Sequence, residues 1–351
     1  MNTFIDFRFK NVCGINTAEV YNRPVANITS LTGHKTNVLR EISMMMNPQA
    51  TKYFDSFGNI LSGKYFAPEY APGAEYFSFF NPTIDGTDNP MEFYMCFCAG
   101  KNSYEFEYHI SREYKVLFEE LRRLDKGEYK PIYTRKNSDI EILSEQEEVI
   151  LALIKRNLSS DGSEYELVFD NYLGIILNNK EEYSAISDLR NNCYRYICLD
   201  NVNTAKEYIY DKEILKKVSK LLGLDYDIEY NGSHYVMKYS TGETLNFSVV
   251  ASRKVKNFLN KLPEIAEVYN KPGRALLVDD MDYIFSTDIC YMLIRIFENQ
   301  NNSQMYFTSD DRIDPVYTEL GTQEDLLVEI LEALGKNGTT QCGGKYIVLD
   351  N

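Results

Sequence analysis

The chain has 351 residues, of which 44% are hydrophobic, and its formal net charge at pH 7 is −15. A chain of this length can bury a sizeable core, in one large domain or two coupled ones. The negative charge argues against a nucleic-acid-binding surface, which needs clustered Lys and Arg side chains. The one basic segment, "SRKVKNFLNK", is interpreted as a solvated helix face. No window approaches the roughly 20 apolar residues that span a bilayer, and no signal peptide is predicted.

The cysteines number seven, they are scattered, and no two of them form a CxxC pair. With only three histidines in addition, this pattern does not predict a zinc site. An odd number of scattered cysteines favours reduced thiols over a disulfide framework. The sequence therefore predicts a cytoplasmic protein.

The sequence of the N-terminal part predicts strands, then a helix and then a hairpin. The alternation in "FIDFRFKNV" indicates a half-buried strand, and "RPVANITSL" a second short one. Val38, Leu39, Ile42 and Met45 have helical spacing, and the following Asn47-Pro48 is expected to end that helix. We interpret 55–90 as surface loops, the runs "MEFYMCFCA" and "YEFEYHI" as a hairpin, and 112–124 as a helix.

The sequence from about residue 140 onward predicts helices first and then an alternation of strands and helices. The segment from about 140 to 230 is interpreted as mostly helical, with a capping box at Ser144 and Glu147. A second hairpin is predicted to turn at Thr241-Gly242, before a helix over 252–269. The strand "RALLVDD", a helix over 288–298, the strand "QMYFTS" and a final helix and strand follow. This order predicts a largely parallel sheet with an antiparallel edge layer.

The stretch "NITSLTGHKTNVLREI" comes close to a phosphate-binding loop, whose pattern is G-x-x-x-x-G-K-S/T. Lys35 and Thr36 match the last two positions, whereas Thr29 and His34 occupy the two glycine positions and Gly33 comes one place early. A side chain at a glycine position resists positive φ and adds bulk where the backbone should approach phosphate. The alternative interpretation is a plain strand-turn-helix without a ligand.

The stretch "RALLVDD" has the form of a Walker B motif, an apolar strand that ends in two carboxylates. Asp279 lies where a magnesium-binding Asp belongs, and Asp280 follows it. The alternative interpretation is an acidic strand end that caps the next helix.

These segments occur in an order that resembles the bacterial AAA-type ATP-binding proteins with ABC/SMC-like heads, found in abortive-infection and restriction-associated systems. The resemblance covers nearly the whole chain and includes "FRFKNV", "TGHKTNVLREI", the first hairpin, "ILKKVSKLLGLDYDI", "ALLVDDMD" and "QMYFTSDD". It implies an α/β fold: an ABC-ATPase-like head, with a P-loop NTPase sheet and an antiparallel β layer, plus a helical insert. The implied division is 1–135 and 231–351 for the two halves of the head and 136–230 for the insert.

The resemblance also assigns roles to individual residues. The implied nucleotide-binding residues are Gly33, His34, Lys35, Thr36, Asn37, Ser252 and Asp310, and the implied magnesium ligands are Thr36 and Asp279. Asp280 stands where the family usually has a catalytic Glu that polarises the attacking water. Asp is one methylene shorter, and general-base geometry is sensitive to such changes.

Two further family motifs are altered. "STGE" (240–243) looks like an ABC signature, but we interpret it as a hairpin turn, because the signature should lie closer to the Asp pair. That position falls at "VVASRKVKN", where Ser252 remains and Arg253 replaces the expected glycine. The strand "QMYFTSD" normally ends in a histidine that contacts the γ-phosphate, and Asp310 takes its place.

Three hypotheses follow. The favoured one is a degenerate ABC-like head, a nucleotide-binding or pseudo-ATPase component of a phage-defence type system, with ATP and Mg²⁺ as cofactors that are either retained or lost. The alternative is an active ATP-hydrolysing switch of the same family. The third is a nuclease that holds a metal through Asp279, Asp280 and Asp282. The partners expected are a second copy of the chain and an effector protein, with no membrane.

Overall fold

The computed structural model describes residues 3–12, 15–21, 25–27, 35–46, 89–111, 115–142, 148, 151–152, 154, 167–191, 194–198, 210–300, 303–310 and 321–336. The chain forms two compact units, Met1–Cys193 and Tyr194–Asn351. The boundary between the units falls inside the segment 136–230, and the implied three-part division stays a prediction. That segment contains strands as well as helices. The predicted loops over 55–88 and the capping box at Ser144 lie outside the described residues.

Unit 1 is built on a large antiparallel sheet. Its strands are β1 (Thr3–Val12), β2 (Ile15–Tyr21), β4 (Met91–Ala99), β5 (Asn102–Ile110), β6 (Val116–Asp125), β7 (Glu128–Lys136) and β8 (Asp139–Ile142), and β3 (Val25–Asn27) is a short strand outside this sheet. The seven strands follow the order β2-β1-β4-β5-β6-β7-β8, and each neighbouring pair is antiparallel. The predicted largely parallel sheet is therefore wrong for the larger of the sheets.

Tight turns explain the antiparallel arrangement. Two residues, Gly100 and Lys101, join β4 to β5, and Lys126 and Gly127 join β6 to β7. Gly100, Lys126 and Gly127 all have positive φ angles, of 63°, 52° and 90°. Two-residue hairpin turns need such angles, and they connect only antiparallel strands.

The predicted helix over 112–124 is wrong, because Val116–Asp125 is strand β6. This strand pairs with β5 on one side and with β7 on the other. The alternation of apolar and polar residues expected of a strand is not evident in the β6 sequence, because one of its buried positions carries the acidic Glu119 rather than an apolar residue. Pairing with two neighbouring strands overrides local helical propensity here.

The predicted first hairpin and the first helix are confirmed. β4 and β5 pair along their whole length, from Met91 opposite Ile110 to Ala99 opposite Asn102. Helix α1 (Lys35–Met46) ends just before Asn47-Pro48, and its apolar stripe is buried as expected, at Val38, Leu39, Ile42 and Met45.

Aromatic side chains form the core of unit 1 on one face of the sheet. The rings of Phe93 and Tyr108 stack with centroids 4.6 Å apart. Phe106 stacks at 4.2 Å on Phe169 of the short helix α2 (Val168–Asn171). Two more helices follow, α3 (Leu173–Leu177) and α4 (Lys180–Asn191). The Glu182 carboxylate of α4 accepts hydrogen bonds from Tyr104 and Arg123 of the sheet, at 2.6 and 3.1 Å.

Glu119 joins the sheet to helix α2. Its fully buried carboxylate accepts hydrogen bonds from the Tyr133 hydroxyl at 2.7 Å and from the backbone N–H groups of Val168 and Phe169 at 2.8 and 2.7 Å. The Arg135 guanidinium lies 4.0 Å away and is also buried. Burial raises the pKa of Glu119 to about 7, against the lowering effect of these partners.

Unit 2 combines a small parallel sheet with an antiparallel meander. Its elements are β9 (Tyr194–Ile197), α5 (Lys212–Leu221), β10 (Tyr226–Tyr230), β11 (Tyr235–Tyr239), β12 (Thr244–Asn246), α6 (Phe247–Val250), α7 (Arg253–Asn270), β13 (Ala275–Val278), α8 (Met281–Ile284), α9 (Thr287–Asn299), β14 (Gln304–Phe307) and α10 (Gly321–Lys336). β13 runs parallel to β9 on one side and to β14 on the other. All residues of β13 and β14 are buried, as is typical of parallel strands covered on both faces.

The meander contains the "STGE" segment, and the predicted turn is confirmed. β10, β11 and β12 form an antiparallel three-stranded sheet. Gly242 lies between β11 and β12 with a φ of 89°, and its N–H donates to the carbonyl of Tyr239 at 2.9 Å. In the described part of the chain, every helix is too short or too polar to cross a bilayer.

We predict that Glu119→Ala lowers the free energy of unfolding by about 3–5 kcal/mol, because the substitution removes the acceptor of three hydrogen bonds and the carboxylate beside the buried Arg135. Urea denaturation followed by circular dichroism measures the change. Glu128→Ala, at an exposed position of β7, is the matched control and should change the free energy by less than about 0.5 kcal/mol. Equal effects of the two substitutions would contradict the anchoring role of Glu119.

A second prediction concerns pH. The folded pKa of Glu119 is about 7, above its ordinary value of 4.5. Between these values the folded chain holds a proton that the unfolded chain has released, so the contribution of Glu119 to stability falls as pH rises through this window. Glu119→Gln removes the titration and can keep the hydrogen bonds to Oε1. The stability of the wild type relative to this variant should fall by about 3 kcal/mol across the window. A difference that does not change with pH would overturn this assignment.

Candidate functional site

The carboxyl ends of the three parallel strands bring Tyr196, Asp279 and Thr308 together. The Asp279 side chain is buried, with 4% of its surface exposed. Its Oδ1 accepts a hydrogen bond from the Thr308 hydroxyl at 2.7 Å, and its Oδ2 accepts one from the Tyr196 hydroxyl at 3.2 Å. Ligands of open α/β sheets commonly bind at such strand ends. Here both carboxylate oxygens already bind neighbouring strands.

Thr308 fixes the backbone at the edge of the parallel sheet where the carboxyl ends of the strands meet. Its hydroxyl also accepts a hydrogen bond from the N–H of Asp280 at 2.8 Å. Its backbone N–H donates to Val278, and its carbonyl accepts from Met281, each at 2.9 Å. Thr308 therefore holds the chain on both sides of Asp279 with side-chain and backbone groups.

Asp280 has a left-handed backbone, with φ 52° and ψ 53°. Few non-glycine residues adopt this conformation, and those that do are found in turns and at functional sites. The conformation turns the chain from β13 directly into α8, and the Asp280 side chain is partly exposed. Asp280 thus occupies the exposed rim of the edge, and Asp279 its buried interior.

Asp310 is an exposed acid that follows β14 at the same edge. Its Oδ2 accepts a hydrogen bond from the Tyr283 hydroxyl of α8 at 3.3 Å. At this position the family resemblance implies a histidine, which would donate a hydrogen bond to phosphate. Asp310 instead adds negative charge to the edge.

Ser252 is the N-cap of α7. Its hydroxyl accepts a hydrogen bond from the backbone N–H of Val255 at 3.3 Å. The next helical residues reach α8, where the Lys254 ammonium donates to the carbonyl of Asp282 at 2.7 Å. Ser252 therefore acts on its own helix, as serine commonly does at this position.

The remaining nucleotide-binding residues implied by the sequence belong to unit 1. Lys35 and Thr36 begin helix α1, and their side chains are partly exposed. Gly33, His34 and the side chain of Asn37 lie outside the described residues. The prediction that Lys35 and Asp279 serve one site stays a prediction.

The edge does not fit a metal ion held by three carboxylates. In the described ranges, no group of three or more His, Cys, Asp or Glu side chains could hold a metal. Asp279, Asp280 and Asp282, proposed above for a nuclease, are all described and do not form such a group. Mg²⁺ binds through oxygen ligands in octahedral geometry, and each Asp279 oxygen already accepts one hydrogen bond from a hydroxyl.

Sequence reasoning missed Tyr196 and the strand that carries it. The segment 140–230 was interpreted as mostly helical, although "YRYI" is a short β-prone run that ends just before a cysteine. Thr308 lies in the strand segment "QMYFTSD", two residues before the Asp310 that the family resemblance singles out. The tyrosine and threonine hydroxyls that hydrogen-bond to this aspartate come from different strands. Such a contact produces no local pattern in the sequence.

Comparisons with known proteins find matches among the solved structures. No protein-family model matches the chain, and no curated protein matches it. One similar solved structure is a crystal structure of the SmcHead bound to the C-winged helix domain of ScpA. It is 8% identical, has a TM-score of 0.39, and the match covers 89% of this chain and 91% of the other. A likeness of this size does not assign a function.

We predict that Thr308→Val lowers the free energy of unfolding by about 3 kcal/mol, since a buried carboxylate oxygen and a backbone N–H each lose a partner. The matched variant Thr308→Ser keeps the hydroxyl and should lose only about 1 kcal/mol, the contribution of one buried methyl group. Chemical denaturation of the three proteins measures both changes. Equal losses for valine and serine would show that the hydroxyl does not hold this edge.

Proposed function

We propose that this chain is a degenerate ABC-like ATPase head, a nucleotide-binding or pseudo-ATPase component that does not turn over ATP. The observation that carries the proposal is the hydrogen bonding of Asp279. A magnesium-binding aspartate must present an oxygen to the ion or to its water shell. In this chain the Asp279 oxygens bind the hydroxyls of Tyr196 and Thr308, and the side chain is buried. The carboxylate is used to join three strands.

Charge at the edge supports the same conclusion. Asp310 is exposed and acidic, and it stands where the family resemblance implies a phosphate-binding histidine. Two like charges 4 Å apart repel by about 1 kcal/mol in water and by about 4 kcal/mol at an effective dielectric constant of 20. A micromolar affinity corresponds to only about 8 kcal/mol. One such acid can therefore remove much of the affinity for a triphosphate.

Residual nucleotide binding would depend on unit 1. By the resemblance, Lys35 would contact the outer phosphates and Thr36 the magnesium ion, next to Gly33, His34 and Asn37. Lys35 and Thr36 begin a helix, and helix N-termini favour anions. ATP and Mg²⁺ are the ligands proposed for this segment, and hydrolysis is not proposed.

An active ATP-hydrolysing switch is the second candidate. It is favoured by Asp280, whose left-handed backbone places a partly exposed acid directly after the buried Asp279. That is the position of the residue that polarises water in the resembling family. The bacterial phage-defence setting and an effector partner are proposed on the sequence resemblance, and the cytoplasmic location is proposed on the odd number of scattered cysteines.

We predict that the isolated chain shows no appreciable ATP turnover and weak or absent ATP binding. Calorimetric titration with ATP, with and without Mg²⁺, and a phosphate-release assay measure the two properties. Any binding that survives should be lost in Lys35→Ala, with the circular dichroism spectrum unchanged. Lys101→Ala, on an exposed turn of unit 1, is the matched control and should leave such binding intact.

The opposite result is equally specific. Magnesium-dependent hydrolysis that Asp280→Asn abolishes would overturn the degenerate head and establish the active switch. Tight magnesium-dependent binding without hydrolysis would contradict the expected weak binding, and it would favour the nucleotide-binding form of the head over the pseudo-ATPase form.

A further inference from the structure

The hairpin between β10 and β11 turns at four exposed residues, Asn231, Gly232, Ser233 and His234. The backbone N–H of Asn231 donates to the carbonyl of His234 at 3.2 Å and closes the loop. We call these residues the Asn231–His234 loop. In an Asn-Gly pair the glycine nitrogen can attack the asparagine side chain with little hindrance, because glycine has no Cβ.

The side-chain oxygen of Asn231 accepts three hydrogen bonds. The donors are the backbone N–H groups of Ser233 and His234 and the Ser233 hydroxyl, each at 3.0 Å. A neutral amide oxygen has two lone pairs, whereas the oxygen of a tetrahedral adduct carries a third and a negative charge. Donors held in place in this way stabilise the oxyanion more than the amide from which it forms.

The side-chain nitrogen of Asn231 lies beside an acid–base group. His234 Nε2 is 3.3 Å from Asn231 Nδ2, and His234 Nδ1 is 2.8 Å from the Ser233 hydroxyl oxygen. Because that hydroxyl donates its own proton to Asn231 Oδ1, it accepts a hydrogen bond from Nδ1–H. Nε2 is therefore the ring nitrogen that gains and loses a proton, and it faces the nitrogen that would leave.

Gly232 supplies the attacking nitrogen. Among the described residues, the backbone N–H of Gly232 has no hydrogen-bond acceptor. Its φ is 97°, and a Cβ added to Gly232 would meet no atom within 4 Å. Solvent therefore reaches this N–H and can remove its proton.

We propose that the Asn231–His234 loop catalyses the deamidation of its own Asn231. The Gly232 nitrogen loses its proton to solvent and forms a bond to Asn231 Cγ, and the negative charge moves to Oδ1. The Cγ–Nδ2 bond then breaks while His234 Nε2 donates a proton to Nδ2, which leaves as ammonia. Water hydrolyses the resulting cyclic imide and produces aspartate or isoaspartate at position 231.

This modification needs no second protein and does not depend on the proposed function. The product has a carboxylate in place of an amide, so it adds one negative charge to a chain whose formal net charge is −15. Isoaspartate also lengthens the backbone of the loop between β10 and β11. Because ammonia is lost, the modified fraction increases with the age of the molecule.

Peptide mapping of the aged protein measures the reaction. Trypsin releases Asn231 in the peptide 221–238, which contains no other asparagine. The folded chain and a synthetic peptide 221–238 are incubated side by side at neutral pH, and a sample taken at zero time corrects for deamidation during digestion. Mass spectrometry should show that Asn231 converts about tenfold or more faster in the folded chain than in the free peptide. Isoelectric focusing should show the added charge.

Asn246 is an internal control in the next tryptic peptide, 239–253. Its Oδ1 accepts hydrogen bonds from the backbone N–H and the hydroxyl of Ser248, at 3.0 and 2.7 Å. Phe247 follows it in place of a glycine. Asn246 should therefore stay intact in the same samples.

Two variants separate catalysis from a structural role of the loop. His234→Gln removes the proton donor and should lower the rate in the folded chain by about tenfold. Ser233→Ala removes one donor to Oδ1 and should lower it by about fivefold or more. Ser248→Ala, the same change beside Asn246, is the matched control and should leave the rate at Asn231 unchanged. Circular dichroism verifies that each variant folds.

Conversion of Asn231 that is no faster in the folded chain than in the free peptide would overturn the inference, because the contacts of the loop would then only fix the turn. Equal rates in the wild type and His234→Gln would overturn it as well. Neither measurement involves nucleotide, so either failure leaves the proposed function as it stands.

Discussion

The hydrogen bond from the Thr308 hydroxyl to Asp279 is the interaction on which the edge of the parallel sheet depends. The same hydroxyl receives the N–H of Asp280, so one side chain fixes both acids. The left-handed turn at Asp280 starts α8, and α8 in turn contacts the first turn of α7 and Asp310. A single buried hydroxyl thereby positions the acidic edge and the short helix that follows it. The arrangement gives Asp279 a structural role, and it leaves the exposed charges to determine what the surface binds.

Much of the fold could be predicted from the sequence wherever the pattern was local. Helix α1 has a clear apolar stripe and a proline stop, and the β4–β5 hairpin alternates on both sides of a glycine turn. β6 could not be predicted, because the buried Glu119 occupies an inward position that an apolar residue would normally mark. Its carboxylate is satisfied by donors about 50 residues away in sequence, including the N–H of Phe169. Sequence periodicity contains no information about such a partner.

The candidate site was predictable to a smaller degree. The sequence located Asp279 at the end of a buried strand and Ser252 at the start of a helix, and the structure places both there. It could not reveal that the Asp279 oxygens accept hydrogen bonds from Tyr196 and Thr308. Those three residues come from separate strands, and only the parallel register brings them together. A sequence motif shows which side chains are present. Whether a side chain can bind a ligand depends on its neighbours in the folded chain.

The strand order of unit 1 has a consequence for synthesis on the ribosome. β4 to β8 are neighbours in the sheet in the order in which they occur in the chain, so each can pair as soon as it emerges. β1 is made first, but it pairs with β4, where Thr3 lies opposite Cys98. The N-terminal hairpin must therefore wait with an exposed edge until residue 98 has left the exit tunnel. During that interval its unpaired strand is open to chaperones and to other nascent chains.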